Sequence, residues 1–189
     1  PHQPQTPSGT MLSIVRQDLR DGWHFIQRDR PVLLSVVIVL SLFNLVLSAA
    51  LIVGIPVAVV QVLGMSDSRL GITQGAMGLG GLFGGLAAAY AGEHLRLRQG
   101  NILLLAASLT AAGMGAALLP DTPPSLGWWV VTAMSFAIMV LSTVLMVTLC
   151  TAIQRQTPPA LLGKVMAFSI AVSNCASPLG QMIYGGLFE

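Results

Sequence analysis

The feature that most constrains this chain is a long segment without a charged side chain, residues 31–66, which lies between Arg30 and Asp67. It is much longer than the roughly 20 residues that a helix needs to cross a hydrocarbon core about 30 Å thick. Lipid offers no hydrogen-bond partners, so a chain that crosses it must satisfy its backbone N–H and C=O groups internally. The segment therefore predicts a transmembrane helix, and the fold is narrowed to a helical bundle.

The composition indicates the same surroundings for the whole chain. Hydrophobic residues make up 54% of the sequence and charged residues 8%, and the mean hydropathy is +0.78. A soluble domain carries about 25% charged residues, so this chain has too few to cover a surface in water. Cys150 and Cys175 both lie in apolar segments, where small buried side chains are expected rather than a disulfide or a metal pair.

Charged residues divide the rest of the chain into further apolar segments. We expect membrane spans at about residues 31–63, 70–92, 100–120, 127–154 and 165–188, each long enough to cross a bilayer. The predicted fold is therefore all-α, a polytopic transmembrane bundle of five spans over residues 31–189. Its partner is the lipid bilayer.

Two short regions precede the bundle. Residues 1–10 are rich in proline and polar side chains, which is typical of a disordered linker. Over residues 11–30 apolar side chains recur at helical spacing, with Leu19, Trp23 and Ile26 among them, and charged side chains occupy other sides of the helix. We interpret this region as an amphipathic helix on the membrane surface. The alternative is an amphipathic helix packed on a soluble domain.

The basic residues predict which ends of the spans face the cytoplasm. Eight of the nine lie before the first span or in the second-to-third and fourth-to-fifth loops, which share one side of the membrane: Arg16, Arg20, Arg28, Arg30, Arg96, Arg98, Arg155 and Lys164. Arg69 alone lies on the other side. Because cytoplasmic loops carry an excess of lysine and arginine, the N-terminus is predicted to be cytoplasmic.

Polar side chains form stripes at helical spacing on three of the spans. Together the stripes predict a polar substrate cavity lined by Ser41, Asn44 and Ser48 of the first span, by Thr132, Ser135, Met139 and Ser142 of the fourth, and by Ser173, Asn174, Ser177 and Gln181 of the fifth. The alternative is that serine and threonine bond back to their own helix, while asparagine and glutamine join neighbouring helices.

The second span is rich in glycine. Small residues spaced by four let helix backbones approach closely in lipid, so we expect helix packing through Gly75, Gly81, Gly84 and Gly85. This span supports a second functional hypothesis, in which the protein is a structural or interaction membrane protein that docks onto partner helices.

Aspartate, glutamate, lysine, arginine and histidine are absent from the predicted spans. No nucleophile with a neighbouring base and no set of metal ligands is recognisable. The sequence therefore predicts a protein that is not an enzyme, with no cofactor, no metal site and no nucleic-acid partner.

The segments LRDGWHFIQRDRP, GLGGLFGGLAAAYAGEHLRLRQ, QRQTPPALLGKVMA and SNCASPLGQMIYGGLFE together resemble the C-terminal half of a major facilitator superfamily transporter. The branch that they resemble includes the macrolide-efflux and enterobactin-exporter-like proteins. The resemblance implies that the five spans correspond to the seventh to eleventh of twelve helices, with an N-terminal half of the transporter as a missing partner. It further implies proton-coupled export of a small molecule by alternating access across a bacterial inner membrane.

The resemblance also assigns a role to the loop after the second span. In the family this loop carries an acidic residue followed by basic residues, whose charge contacts hold one of the alternating states. Glu93 takes the acidic position, and Arg96 and Arg98 approximate the basic ones. His94 stands where the family has the first basic residue, so this sequence departs from the family pattern at that position.

Overall fold

The computed structural model describes residues 11–28, 31–91, 97–119 and 122–187. In these ranges the chain forms six helices and no strand: α1 (Met11–Arg28), α2 (Pro31–Val62), α3 (Asp67–Ala91), α4 (Leu97–Ala116), α5 (Pro124–Gln156) and α6 (Leu162–Leu187). The all-α prediction is confirmed. The linker predicted over residues 1–10 lies outside the described residues.

Two of the helices, α2 and α5, are long and apolar enough on their own to cross a membrane. A shorter apolar stretch, Gly100–Ala116, makes up most of α4. Helices α3 and α6 contain 25 and 26 residues, and at about 1.5 Å per residue each is longer than a hydrocarbon core about 30 Å thick. Their frequent glycines and polar residues dilute the apolar character that marks α2 and α5.

Helix α2 is continuous but contains two π-helical segments, Asn44–Ser48 and Val57–Val62. The second follows Pro56, whose ring nitrogen carries no hydrogen and so cannot extend the α-helical ladder. The helix ends at Val62, and two residues later Gly64 has a φ of 62°, which suits a residue without a side chain. Helix α2 therefore departs from regular α-helix at two levels, each of which turns its following side chains to a new direction.

Helix α5 lies against α3 and α4, whereas α6 packs mainly on α2 and α1. One apolar core joins the end of α5 to the starts of α2 and α6, and includes Leu33, Leu149 and Val165. A second core joins the start of α5 to the end of α2, and includes Val59 and Val131. Helix α5 is therefore antiparallel to α2, whereas α6 runs parallel to α2, so the starts of α2 and α6 lie at the same end of the bundle as the end of α5.

The closest contact between α3 and α5 is made by two glycines. A methyl group added at Gly80 would lie 2.6 Å from the carbonyl oxygen of Phe136, and one added at Gly84 would lie 2.7 Å from that of Val140. Gly81 reaches only the ends of α5 side chains at 3.9–4.0 Å, while Gly75 and Gly85 have nothing within 4 Å. The contacting pair is thus Gly80 and Gly84, one residue before the pair Gly81 and Gly85 that the spacing also allows.

A buried polar cluster joins the same two helices near the start of α5. The Thr73 hydroxyl lies 2.9 Å from the Thr132 hydroxyl and accepts a bond from the Trp128 indole nitrogen at 3.1 Å. The Arg69 guanidinium lies over the Trp128 ring, 5.0 Å from its centroid. Since buried polar groups are costly unless paired, these contacts fix how α3 lies on α5.

Candidate substrate groove

A groove of about 250 Å³ lies between the middle of α2 and the middle of α5. It is defined by Phe43, Asn44, Ser48 and Leu51 of α2 and by Met139, Ser142, Thr143, Met146 and Val147 of α5. Four of these residues, Asn44, Ser48, Met139 and Ser142, belong to the polar stripes that the sequence predicts to line a cavity. We call this feature the α2/α5 groove.

The first π-helical segment of α2 contributes the polar side of the groove. Asn44 and Ser48 are its first and last residues. The Asn44 side-chain nitrogen donates to the Leu40 carbonyl oxygen at 3.0 Å. This bond holds the amide along its own helix and uses one of its two N–H donors, so the second N–H and the amide oxygen remain for another partner.

Across the groove, the hydroxyl of Ser142 is buried without a hydrogen-bond partner among the described residues. The side chain is only 8% exposed. Leaving such a hydroxyl unpaired costs about 1–3 kcal/mol, and an unpaired group in a native structure calls for an explanation. The neighbouring Thr143 differs, because its hydroxyl donates to the Met139 carbonyl oxygen at 2.8 Å.

Other residues of the predicted cavity face other neighbours. Thr132 bonds to Thr73 of α3, and the Ser135 hydroxyl points to the sulfur of Met114 on α4 at 3.8 Å. Ser41 donates to the Val37 carbonyl oxygen of its own helix at 2.9 Å. The polar stripe of α5 is thus divided among three helices, because α5 lies between α2, α3 and α4.

The stripe on α6 lies apart from the residues that line the groove. Ser173 is 1% exposed, and its hydroxyl lacks a partner among the described residues. Gln181 donates to the Ser177 hydroxyl at 3.2 Å, and Asn174 is exposed. Gly180 brings this helix against α2, where an added methyl group would meet the Leu45 carbonyl oxygen and would lie 2.7 Å from Ala49 Cβ.

The predicted loop motif cannot be placed in the same way. Glu93 and Arg96 lie outside the described residues, as does the side chain of Arg98. In the described part of the chain, no group of three or more His, Cys, Asp or Glu side chains could hold a metal ion.

Two features were missed by the sequence reasoning. The first is the Thr73–Trp128 bond, for which the sequence gives no signal because the two residues are distant in the chain. The second is a pair of ion contacts from Lys164 to Asp18 and Asp21. Two acidic residues three positions apart, at the same predicted side of the membrane as a lone lysine, are a signal that could have indicated it.

Comparison with known proteins decides the family. A model of the Major Facilitator Superfamily matches residues 1–181. The chain belongs to the major facilitator superfamily. No curated protein and no solved structure matches it.

Membership explains the features of the chain together. A major facilitator protein is an integral membrane transporter of small molecules and not an enzyme, which confirms those parts of the sequence prediction. The helices are accordingly surrounded by lipid, and the many exposed apolar side chains, such as Leu105 and Leu109, are those that a bilayer accommodates.

Proposed function

We propose that this transporter exports small amphipathic molecules, and that the α2/α5 groove is part of their path. The observation that carries the proposal is the chemistry of the groove. One amide and three hydroxyl-bearing side chains line it together with the thioethers of Met139 and Met146 and apolar side chains. This mixture suits a molecule with a large apolar body and a few hydrogen-bonding groups.

The methionines favour a range of substrates over a single one. Their side chains are unbranched and polarisable, so they adapt to ligands of different shape, and they are frequent at binding surfaces that accept many partners. The buried hydroxyl of Ser142 adds a fixed point at which a substrate can hydrogen-bond. Macrolide-like drugs, which the resembled exporter branch suggests, have this combination of a broad apolar surface and scattered polar groups.

Export would follow the alternating-access scheme of the family, in which two six-helix halves rock about a central site. In this proposal α2 and α5 belong to one half and line its inner surface. Proton entry would drive the cycle, with the coupling acid on the opposite half. The N-terminus and the basic ends of the helices would face the cytoplasm of a bacterial inner membrane.

Removal of the Ser142 hydroxyl tests the groove, because binding and folding respond in opposite directions. We expect Ser142→Ala to leave the free energy of unfolding unchanged or to raise it by about 1 kcal/mol, since an unpaired buried group is removed. Efflux of ethidium or a macrolide from intact cells should nevertheless fall severalfold. Ser125→Ala, at an exposed position near the start of the same helix, is the matched control. Unchanged efflux in Ser142→Ala would remove the groove from the substrate path.

A second function is supported by the outer face of α3. Gly71, Gly75 and Gly78 are exposed and have no atom within 4 Å of an added methyl group. Such a face could receive a partner helix, as expected of an interaction membrane protein. Gly75→Leu should then abolish association and leave drug efflux intact, whereas an exporter would lose efflux or show no change in either property.

A further inference from the structure

The two described acidic side chains of helix α1 form ion pairs with the bundle. The Lys164 side-chain nitrogen lies 3.1 Å from Asp18 Oδ1 and 2.7 Å from Asp21 Oδ2. Between these acids and the apolar core, Gly22 permits a close crossing, because a methyl group there would lie 2.9 Å from the Lys164 carbonyl oxygen. Ile26 is fully buried. The orientation of α1 about its own axis is therefore fixed.

This orientation pairs the acidic side chains of α1 and leaves basic ones exposed. Its exposed polar side chains, among those described, follow one another at steps of three, four, three and one: Gln17, Arg20, His24, Gln27 and Arg28. Arg20 and Arg28 form no ion pair within the described part of the chain. Asp18 and Asp21 both contact Lys164, so the acids of the helix already have a cationic partner, whereas Arg20 and Arg28 remain exposed and unpaired among the described residues.

The position of this face suits a membrane surface. Helix α1 packs beside the starts of α2 and α6, at the end of the bundle where Lys164 lies. Trp23 is 39% exposed and touches Phe168, with ring centroids 5.7 Å apart. Tryptophan and arginine at the end of a transmembrane bundle are side chains that favour the headgroup layer.

We infer that the exposed face of α1, formed by Gln17, Arg20, His24, Gln27 and Arg28, binds the headgroups of anionic phospholipids. The Asp18–Lys164–Asp21 cluster favours this, because Lys164 offsets part of the negative charge that would repel such lipids. The inference rests on the membrane location of the family and is independent of the substrate.

The lipid preference can be measured with brominated lipids that quench tryptophan fluorescence. Brominated phosphatidylglycerol or brominated phosphatidylcholine is added to bilayers that contain the protein. The signal of Trp23 is isolated by subtracting that of a Trp23→Phe variant, since Trp128 and Trp129 lie at the opposite end of the bundle. We expect phosphatidylglycerol to quench Trp23 at a lower mole fraction than phosphatidylcholine, with a difference that shrinks as salt is added.

Charge removal then tests the face itself. Arg20→Gln and Arg28→Gln should each weaken the relative affinity for phosphatidylglycerol about fivefold, and the double variant about 25-fold, at about 1 kcal/mol per cation near the surface. Arg155→Gln removes an equal, exposed charge from the end of α5 and should change the quenching of Trp23 much less. Equal quenching by both lipids in the unmodified protein, or equal losses in Arg20→Gln and Arg155→Gln, would overturn the inference.

A second series examines the role of the acids. Lys164→Gln leaves Asp18 and Asp21 unneutralised and should lower the preference for phosphatidylglycerol. Adding Asp18→Asn and Asp21→Asn to that variant should restore it, although the lysine is still missing. If the triple variant stays as low as Lys164→Gln, the acids do not control the lipid preference and the proposed role of the cluster is wrong.

Discussion

Adding a single methyl group at Gly84 should separate α3 from α5. In Gly84→Ala the new Cβ would lie 2.7 Å from the Val140 carbonyl oxygen and 2.8 Å from Thr143 Cβ. Neither atom can move away by rotation of a side chain, because the first belongs to the backbone and the second is attached directly to it. The two helices must therefore shift apart until the contact reaches an ordinary van der Waals distance.

The size of the effect follows from a comparison with Gly85→Ala. Overpacking of a tight contact costs about 1–3 kcal/mol, while the change from glycine to alanine favours a helix by about 1 kcal/mol. Gly85 has nothing within 4 Å, so only the second effect applies there. Because the helix-forming gain is common to both variants, the difference in their free energies of unfolding should be about 1–3 kcal/mol, with Gly84→Ala the less stable.

Unfolding of the purified protein in detergent micelles by added dodecyl sulfate, followed by tryptophan fluorescence, measures this difference. Gly80→Ala provides a replicate at the second contact, where the carbonyl oxygen of Phe136 would lie 2.6 Å away. If Gly84→Ala proved as stable as Gly85→Ala, α3 would not lie on α5 through this face, and the packing described here would be incorrect.

Three further predictions concern hydrogen bonds and charge. Thr73→Val should cost about 1–3 kcal/mol of unfolding free energy, because Thr132 loses its partner and Trp128 keeps only the Arg69 carbonyl oxygen. Thr73→Ser retains the hydroxyl and should cost less, and equal losses would contradict the cluster. Ser173→Ala should raise the free energy of unfolding by up to about 1 kcal/mol, because it removes a buried unpaired hydroxyl. A fall in the free energy of unfolding would mean that Ser173 has a partner. Hydrogen bonds from Lys164 to Asp21 and then to Asp18 raise the pKa of the lysine, so docking of α1 is fully stabilised below the usual lysine pKa and weakens as pH rises through the raised value. The fluorescence of Trp23, with Trp23→Phe as blank, should report that alkaline transition in the unmodified protein and lack it in Lys164→Gln.

The helices, and which of their ends lie together, could be predicted because charged side chains are kept out of the hydrocarbon core and therefore mark the ends of the spans. Helices α2 to α6 each coincide with a segment that the sequence delimits by charged residues, and the boundaries differ by only a few residues. Helix α5, for example, begins at Pro124 and not at residue 127, because proline suits the first position of a helix. This agreement is in keeping with membership of the major facilitator superfamily.

The contacts between helices could not be predicted to the same level. The glycine-rich span offers several pairs at a spacing of four, and only the shape of α5 selects Gly80 and Gly84. Likewise, the spacing of Thr132, Ser135 and Ser142 places them on one broad face, but their assignment to three different neighbours depends on where those helices stand. A periodic pattern identifies the side of a helix, whereas the partner on that side is a property of the whole bundle.

The most direct test of the transporter account is whether water enters the α2/α5 groove. In a chain whose two native cysteines are replaced by alanine, single cysteines at Ser48, Met146, Ser173 and Leu105 are exposed in intact cells to a charged thiol reagent. The account predicts modification at Ser48 and Met146, slowed by an exported drug, and protection at Ser173, which is buried, and at Leu105, which faces lipid. Protection at Ser48 and Met146 together with modification at Ser173 would contradict it.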